Sequence, residues 1–423
     1  MTDIQSAFTT SKPKIAIIEF PGSNCETESI YAVTQAGMEA HEFLWNRPAT
    51  DLEDFDGYFI IGGFSYEDRS RSGIISAKNP LMQELIKQAK LGKPIIGVCN
   101  GAQILIESGL VPGLKDQQIG GALAQNVRMK DNHVIGTGFY NTWCDHKVIS
   151  KANIFMSLFY DNEIFQMPIA HGEGRFVFPV QVLEAMKNNN QVLIKYCDDK
   201  GTIVNNFPTN PNGTMDNIAA IGNPSGNVIA MMPHPERSGI SPKFFGAMRQ
   251  YIESTKVTAT TESPQKFEYK TIDLILPKLP TRQYQKQGQE LTIESVITDK
   301  ESSTINQTLK ELKIVATVSK TIHWELDTNA NLDAVIKSEE LFNPNKENVI
   351  SGLEGSGKGS SKFVLVSYND DTAGESKKEI LVGQGVMIEV LKKSILWKID
   401  GDYQAVIDSN ILANPFSQTI LTY

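Results

Sequence analysis

Two separated motifs in this chain together hold the parts for nucleophilic attack on an acyl carbon. Cys99 lies in the heptapeptide Gly97-Val98-Cys99-Asn100-Gly101-Ala102-Gln103. The apolar run 94–98 before it reads as a short buried strand, and 102–108 after it reads as a helix that stops at Gly109. The cysteine therefore sits on the sharp turn between strand and helix, with small residues on both sides. That is the layout of a nucleophile elbow with sulfur in place of the usual oxygen. A thiol at a helix N-terminus also feels the positive end of the helix dipole, which favours thiolate. Taken alone, the pattern fits a buried filler thiol equally well. The second motif, Met231-Met232-Pro233-His234-Pro235-Glu236-Arg237, follows the apolar stretch 227–230. Residues two apart in an extended segment point the same way, so His234 and Glu236 can share a face. A cysteine nucleophile needs a base, and the base needs a carboxylate to fix its tautomer. Cys99, His234 and Glu236 supply all three.

The elements that must position these residues alternate between strand and helix. Residues 14–20 form a β-rich run, and a helical segment through 30–33 ends at Gly37. Residues 58–61 are apolar and closed by Gly62-Gly63, and 81–91 have helical periodicity before the strand into the elbow. This order predicts an α/β fold, a mostly parallel sheet flanked by helices with right-handed crossovers. Ligands sit at the carboxyl ends of the strands in such sheets. The loops at Gly22, Gly62 and Cys99 all follow strands and should meet there. Attack on an acyl carbon builds negative charge on oxygen, and glycines let backbone N–H groups approach it closely. The N–H groups near Gly63 and Phe64, with that of Asn100, are the expected oxyanion-hole donors.

The chain is similar to class I glutamine amidotransferases and, among them, resembles the glutaminase-subunit family of phosphoribosylformylglycinamidine synthases. The resemblance rests on Phe20-Pro21-Gly22-Ser23-Asn24-Cys25, Gly62-Gly63-Phe64-Ser65-Tyr66, the Cys99 elbow, His171-Gly172-Glu173-Gly174-Arg175, Asn210-Pro211-Asn212-Gly213 and the His234 motif. It implies a flavodoxin-like glutaminase whose triad hydrolyses L-glutamine and passes ammonia to a large ATP-dependent synthetase subunit. It also implies that Gln103 contacts the glutamine substrate, with Gly62, Gly63, Phe64 and Asn100 around it, and that the His171 loop lies beside the pocket facing the synthetase. Where many members carry Gly-Asp after Tyr66, this chain has Glu67-Asp68-Arg69-Ser70-Arg71-Ser72-Gly73. The added charges bear on partner contacts and leave the triad untouched. Cysteine peptidases and stress hydrolases share this sheet and elbow, but the late His-Pro-Glu motif favours the amidotransferase. A glutaminase subunit of another amidotransferase, or an assembly scaffold without activity, are the other readings.

At 423 residues the chain has room for two or three domains. A net charge of −9 argues against a general nucleic-acid binder. No run of 18 apolar residues marks a membrane span, and residues 1–13 do not read as a leader peptide. Cys25, Cys99, Cys144 and Cys197 form no C-x-x-C pair, so neither a disulfide framework nor a metal site is expected. A cytoplasmic setting fits. The expected organisation is a tail over 1–13, a glutaminase domain over 14–253 and a linker over 254–264. Two repeats follow, over 265–350 and 362–423, joined by a Gly/Ser linker over 351–361.

The repeat is carried by Lys320-Thr321-Ile322-His323-Trp324-Glu325-Leu326-Asp327 against Lys393-Ser394-Ile395-Leu396-Trp397-Lys398-Ile399-Asp400, and by Leu341-Phe342-Asn343-Pro344 against Leu412-Ala413-Asn414-Pro415. Each copy reads as an alternating strand, a short helix and an Asn-Pro end before a last strand, the first opening at 270–276 and the second at 362–367. The layout resembles the small accessory subunit of the same synthases, which pairs with itself, and a tandem would form that pair within one chain. Gly352-Leu353-Glu354-Gly355-Ser356-Gly357-Lys358-Gly359 nearly spells a P-loop, but Gly359 replaces the Ser or Thr that holds Mg²⁺, and a strand follows where a helix is needed. No cofactor is expected on this chain; ATP and Mg²⁺ are expected on the synthetase.

Overall fold

The computed structural model describes residues 11–261, 267–277, 282–350 and 361–423. Nine strands build the first sheet: β1 (Lys14–Glu19), β2 (Glu39–Leu44), β3 (Gly57–Ile60), β4 (Ile95–Val98), β5 (Tyr140–Val148), β6 (Ile164–His171), β7 (Val192–Cys197), β8 (Ile218–Gly222) and β9 (Val228–Met231). Their order is β2-β1-β3-β4-β9-β8-β7-β5-β6. The first five in that order pair in parallel, and every pairing from β9 through β8, β7 and β5 to β6 is antiparallel. The central strands β3, β4 and β9 are buried at every position, as continuous apolar runs in a covered sheet require. Strict strand–helix alternation therefore holds only as far as the helix Asn100–Glu107. Between that helix and β6 the chain forms strands and short 3₁₀ turns, with a projecting hairpin of Val127–Lys130 and His133–Thr137.

The boundary expected at residue 254 moves. The helix Ser241–Thr261 runs through most of the polar stretch that composition alone marks as a linker. Residues 262–264 of that linker and the Gly/Ser segment 351–360, with its P-loop look-alike, lie outside the described residues.

The C-terminal region forms a second sheet of seven strands, β10 (Arg282–Gln283), β11 (Gln289–Ser295), β12 (Ala316–Leu326), β13 (Glu347–Ile350), β14 (Lys362–Tyr368), β15 (Leu391–Gly401) and β16 (Gln418–Thr422). Their order is β10-β16-β14-β15-β12-β11-β13. Each copy is a β-α-β-α-β unit, with first helices Lys300–Glu311 and Thr372–Gly383 capped by Asp299 and Asp371. The first copy opens at β11 and not at 270–276. That segment instead lies against the first domain, where Ile272 pairs with Leu114 and is 5% exposed. Its alternating pattern marks a buried edge in either place, which is why periodicity alone assigns it wrongly.

β12 and β15 pair antiparallel over their full length, with Ile322 opposite Ile395. These two residues are equivalents in the repeat, so the register is the one a local two-fold axis demands. The cores are exchanged as well. Ile305 and Leu309 from the first copy's helix pack with Val364, Val366 and Trp397 of the second, while Leu381 of the second packs with Leu291, Ile293 and Trp324 of the first. Neither copy closes its core alone. Ile74 and Ile75, from the short helix Ile74–Ala77 of the first domain, join the second copy's core and fasten the two regions together.

Candidate functional site

Cys99 stands between β4 and the helix Asn100–Glu107 with φ 52° and ψ −110°, a conformation that costs a non-glycine residue strain. Its N–H donates to the Met231 carbonyl on β9 at 2.8 Å, which pins the elbow to the sheet. The turn is tight because Gly101 passes under β3: a Cβ there would lie 2.0 Å from the Ile60 carbonyl oxygen. A thiol at this position points to the carboxyl edge of the strands, its sulfur 3.7 Å from the Ala170 carbonyl oxygen.

His234 arrives from the end of β9. Its N–H donates to the Pro168 carbonyl at 2.9 Å, and Pro235–Arg237 form a 3₁₀ turn, not an extended run. The turn still delivers the pair: Nδ1 of His234 lies 2.6 Å from Oε1 of Glu236, with both side chains buried. Burial opposes protonation of this imidazole. The Glu236 charge, the nearby Cys25 and Cys99 sulfurs and the hydrogen bond with Glu236 outweigh it and hold the His234 pKa well above that of an ordinary histidine. Nε2 makes no well-formed hydrogen bond, and the sulfurs of Cys25 and Cys99 are its neighbours.

Cys25 has no role in the sequence reading beyond marking a motif, yet it stands 1% exposed beside His234. Arg237 donates from Nη2 to its sulfur at 3.0 Å and from Nε to Glu28 at 2.7 Å. Burial raises the Cys25 thiol pKa, with His234 opposing, and the residue is not on the elbow. Nothing local in 20–25 announces this contact, because His234 is more than two hundred residues away in the chain. Cys25, His234 and Glu236 offer donor atoms within 4.8 Å of one another, a grouping that could hold a metal ion. Two of the three are already bonded to each other as an acid–base pair, which serves proton transfer better than ligation.

The loops at Gly22, Gly62 and Cys99 do meet. A Cβ on Gly62 would fall 2.9 Å from the Cys25 sulfur, 3.1 Å from His234 Cε1 and 3.5 Å from Cys99 Cβ. Gly63 takes φ 147°, and a side chain there would strike the Gly22 carbonyl at 2.5 Å. Phe64 is a correction. Its N–H donates to the Gly22 carbonyl at 2.9 Å and is not free to meet an oxyanion, and its ring is 46% exposed. Among the described residues no acceptor is found for the N–H groups of Gly63 and Asn100. The side chain of Asn100 is a brace, accepting from the Ser65 N–H at 3.2 Å and donating to Gln103 at 2.9 Å. Gln103 in turn donates to the Glu173 carbonyl at 2.6 Å, so both ends of its amide are engaged within the protein.

The loop after β6 starts beside His234 and reaches the C-terminal region. His171 is 2% exposed, and burial, with the neighbouring His234 charge, pushes its pKa down to about 3, so it stays neutral beside the triad. Arg175 pairs with Asp370 of the C-terminal region. The charged run after Tyr66 turns the same way. Arg69 donates to Thr304 at 2.6 Å, and the Ser70 N–H donates to Glu301 at 2.9 Å.

Asp68 in this run is half-buried, and this burial together with the Glu173 charge lifts its pKa to about 7, against a hydrogen bond with Ser72. A carboxyl whose native pKa exceeds its unfolded value lends stability that is full below about pH 4 and is lost as pH rises to about 7. Asp68→Asn should therefore raise the unfolding free energy by about 1–3 kcal/mol at pH 8 and leave it unchanged near pH 4. Urea unfolding at the two pH values checks this; an equal gain at both would trace the effect to something other than the buried charge.

A cysteine elbow beside a buried His–Glu pair at the carboxyl edge of an α/β sheet is an arrangement suited to a glutamine amidotransferase. Residues 12–255 match the model of the CobB/CobQ-like glutamine amidotransferase domain, and the chain belongs to that family. A relative from Methanothrix thermoacetophila, "Phosphoribosylformylglycinamidine synthase subunit PurQ", is 43% identical over 262 residues, covering 57% of this chain and 99% of the relative. The subunit of the same name from Pyrococcus horikoshii is 39% identical over 236 residues, covering 55% and 92%. A chain in the solved structure of PurLQS from Thermotoga maritima aligns over 57% of this chain and 99% of its own length, at 33% identity and a TM-score of 0.46.

Proposed function

We propose that Cys99, His234 and Glu236 hydrolyse L-glutamine and that the ammonia released serves a separate ATP-dependent synthetase. The chain is the glutaminase component of a phosphoribosylformylglycinamidine synthase. Its amidotransferase domain and its likeness to subunits of that name, across nearly their whole length, support this reading. The observation that carries the chemistry is the 2.6 Å His234–Glu236 pair, set beside the thiol of a strained elbow.

The Cys99 thiolate attacks the carboxamide carbon, and the N–H groups of Gly63 and Asn100 receive the developing oxyanion. His234 passes its proton to the departing nitrogen, ammonia leaves, and a γ-glutamyl thioester remains. Water then attacks the thioester with His234 as base, releasing glutamate and restoring the thiol. Gln103 and Asn100 hold the elbow against the Gly62 and His171 loops. The acceptor is the formylglycinamide ribonucleotide, converted to its amidine on the synthetase, where ATP and Mg²⁺ bind. Four buried free cysteines fit a reducing, cytoplasmic setting, and no described helix is long and apolar enough to cross a membrane.

Glutamate release by the full chain, alone and with its synthetase, ATP and the ribonucleotide, tests this. Turnover should be slow alone and rise by about tenfold or more in the complex, because uncoupled hydrolysis wastes glutamine. No glutamate in any combination would overturn the reading, and equal turnover with and without the synthetase would overturn the coupling.

A further inference from the structure

The two copies of the C-terminal repeat carry the same Asn-Pro turn in different surroundings. In each, the asparagine N–H donates to a side chain four residues on: Asn343 to Glu347 at 2.7 Å and Asn414 to Gln418 at 2.9 Å. In each, the asparagine Oδ1 accepts from the N–H two residues on, Asn345 or Phe416, at 3.0 Å. The local fold is the same. Asn343 is exposed, whereas Asn414 is 0% exposed and spends its side-chain N–H groups on the first domain. Its Nδ2 donates to Oε1 of Glu107 at 2.9 Å and to the Gly121 carbonyl at 3.1 Å.

Glu107 is the last residue of the helix that begins directly after Cys99. Its carboxylate also receives both arms of Arg71, at 2.8 Å from Nε and 2.7 Å from Nη2. Arg71 belongs to the loop that carries Gly63. That loop is bound to the helix at both ends, by the Ser65 N–H to Asn100 near the nucleophile and by Arg71 to Glu107 at the far end. The C-terminal region closes the bracket, since the Ile411 carbonyl accepts from the Ser70 hydroxyl and, at 3.3 Å, from Arg71. Between the two fastenings, Tyr66, Glu67, Asp68 and Ser70 all take positive φ, from 53° to 66°. Non-glycine residues hold such angles only where the surroundings over-determine them. Here the second copy's Asn-Pro turn is part of those surroundings.

We propose that Asn414 is a positioning residue for glutamine hydrolysis, holding through Glu107 and Arg71 both the nucleophile's helix and the loop that presents the Gly63 N–H. The second copy of the repeat thereby completes the glutaminase site from outside its domain. The inference rests on the glutaminase reading above.

Asn414→Asp separates this role from the turn itself. Aspartate keeps the acceptor for Phe416 but loses the donor and sets a second carboxylate against Glu107. Asn343→Asp makes the same change at an exposed position. In the full chain with its synthetase, Asn414→Asp should lower kcat for glutamine by about tenfold with KM within about twofold. It should leave ammonia-dependent synthesis at the parent rate. Asn343→Asp should match the parent in every assay. If Asn414→Asp does not give folded protein by melting and gel filtration, Asn414→Ala removes the donor without the added charge, and the same loss of kcat is expected. A folded Asn414 variant with the parent's kcat, or an equal loss from Asn343→Asp, would overturn the inference. A parent complex that uses no glutamine would overturn the functional reading and this inference with it.

Discussion

Cys99→Ala should remove glutamine-dependent synthesis almost entirely, by a factor of about 10⁴ or more, while synthesis from added ammonia continues. The thiol sits where no neighbour can replace it. Its backbone is fixed by the Met231 carbonyl, and Gly101 can approach β3 only because it has no side chain. Cys25 also stands beside His234, but burial keeps it a thiol, and it lies across the Gly62 loop from the elbow. Glutamate release and ammonia-supported synthesis, measured on one preparation of the reconstituted complex, read both halves of the expectation. Persistent glutamine use would transfer the nucleophile's role elsewhere; loss of both activities would show that the variant damages assembly.

The next largest effect is expected at Glu236→Gln, about 10³ to 10⁴ in kcat. Burial alone would keep the His234 imidazole neutral, and it is the Glu236 charge, with its 2.6 Å contact to Nδ1 and the two cysteine sulfurs nearby, that holds a proton on it. Removing the charge lets burial prevail. His234 is then neutral through the physiological range and has no proton ready for the departing nitrogen. The sign is definite: the native pKa of His234 falls, so the alkaline limb of the kcat/KM profile moves to lower pH in the variant. The parent should hold its rate well above neutrality. A profile that loses height without moving would mean that Glu236 orients the ring and does not set its charge.

Most of the catalytic core is legible in the sequence because its signals are local. A strand, a small-residue turn and a helix place Cys99, and His-Pro-Glu places its base and carboxylate within three residues. What sequence reasoning misses is made by contacts between distant loops. Phe64 is assigned an oxyanion role that its bond to Gly22 forbids, and the bond from Gln103 to Glu173 has no local signal. Cys25 gains its importance only when the Gly22 and Gly62 loops are brought together. The same limit applies to boundaries. Residues 270–276 alternate as a strand does, yet Ile272 is buried against Leu114 of another domain. The stretch from 254 is polar, and polarity describes the face of a helix as well as a linker. The repeat is visible by inspection, but the exchange of helices between its copies is not, because periodicity records that a face is buried and never against what. Asn343 and Asn414 make the point most sharply: one motif, occurring twice, and among the described residues only Asn414 has partners in the first domain.

The central claim is that the thiol attacking glutamine is Cys99 and not its buried neighbour at the same histidine. Treating the full chain, in complex with its synthetase, with a glutamine-analogue electrophile and mapping the adduct by peptide mass spectrometry tests it most directly. A single adduct on Cys99, suppressed by excess glutamine and absent from Cys25, Cys144 and Cys197, is the expected result. An adduct on Cys25, or labelling of Cys99 that glutamine does not suppress, would contradict it.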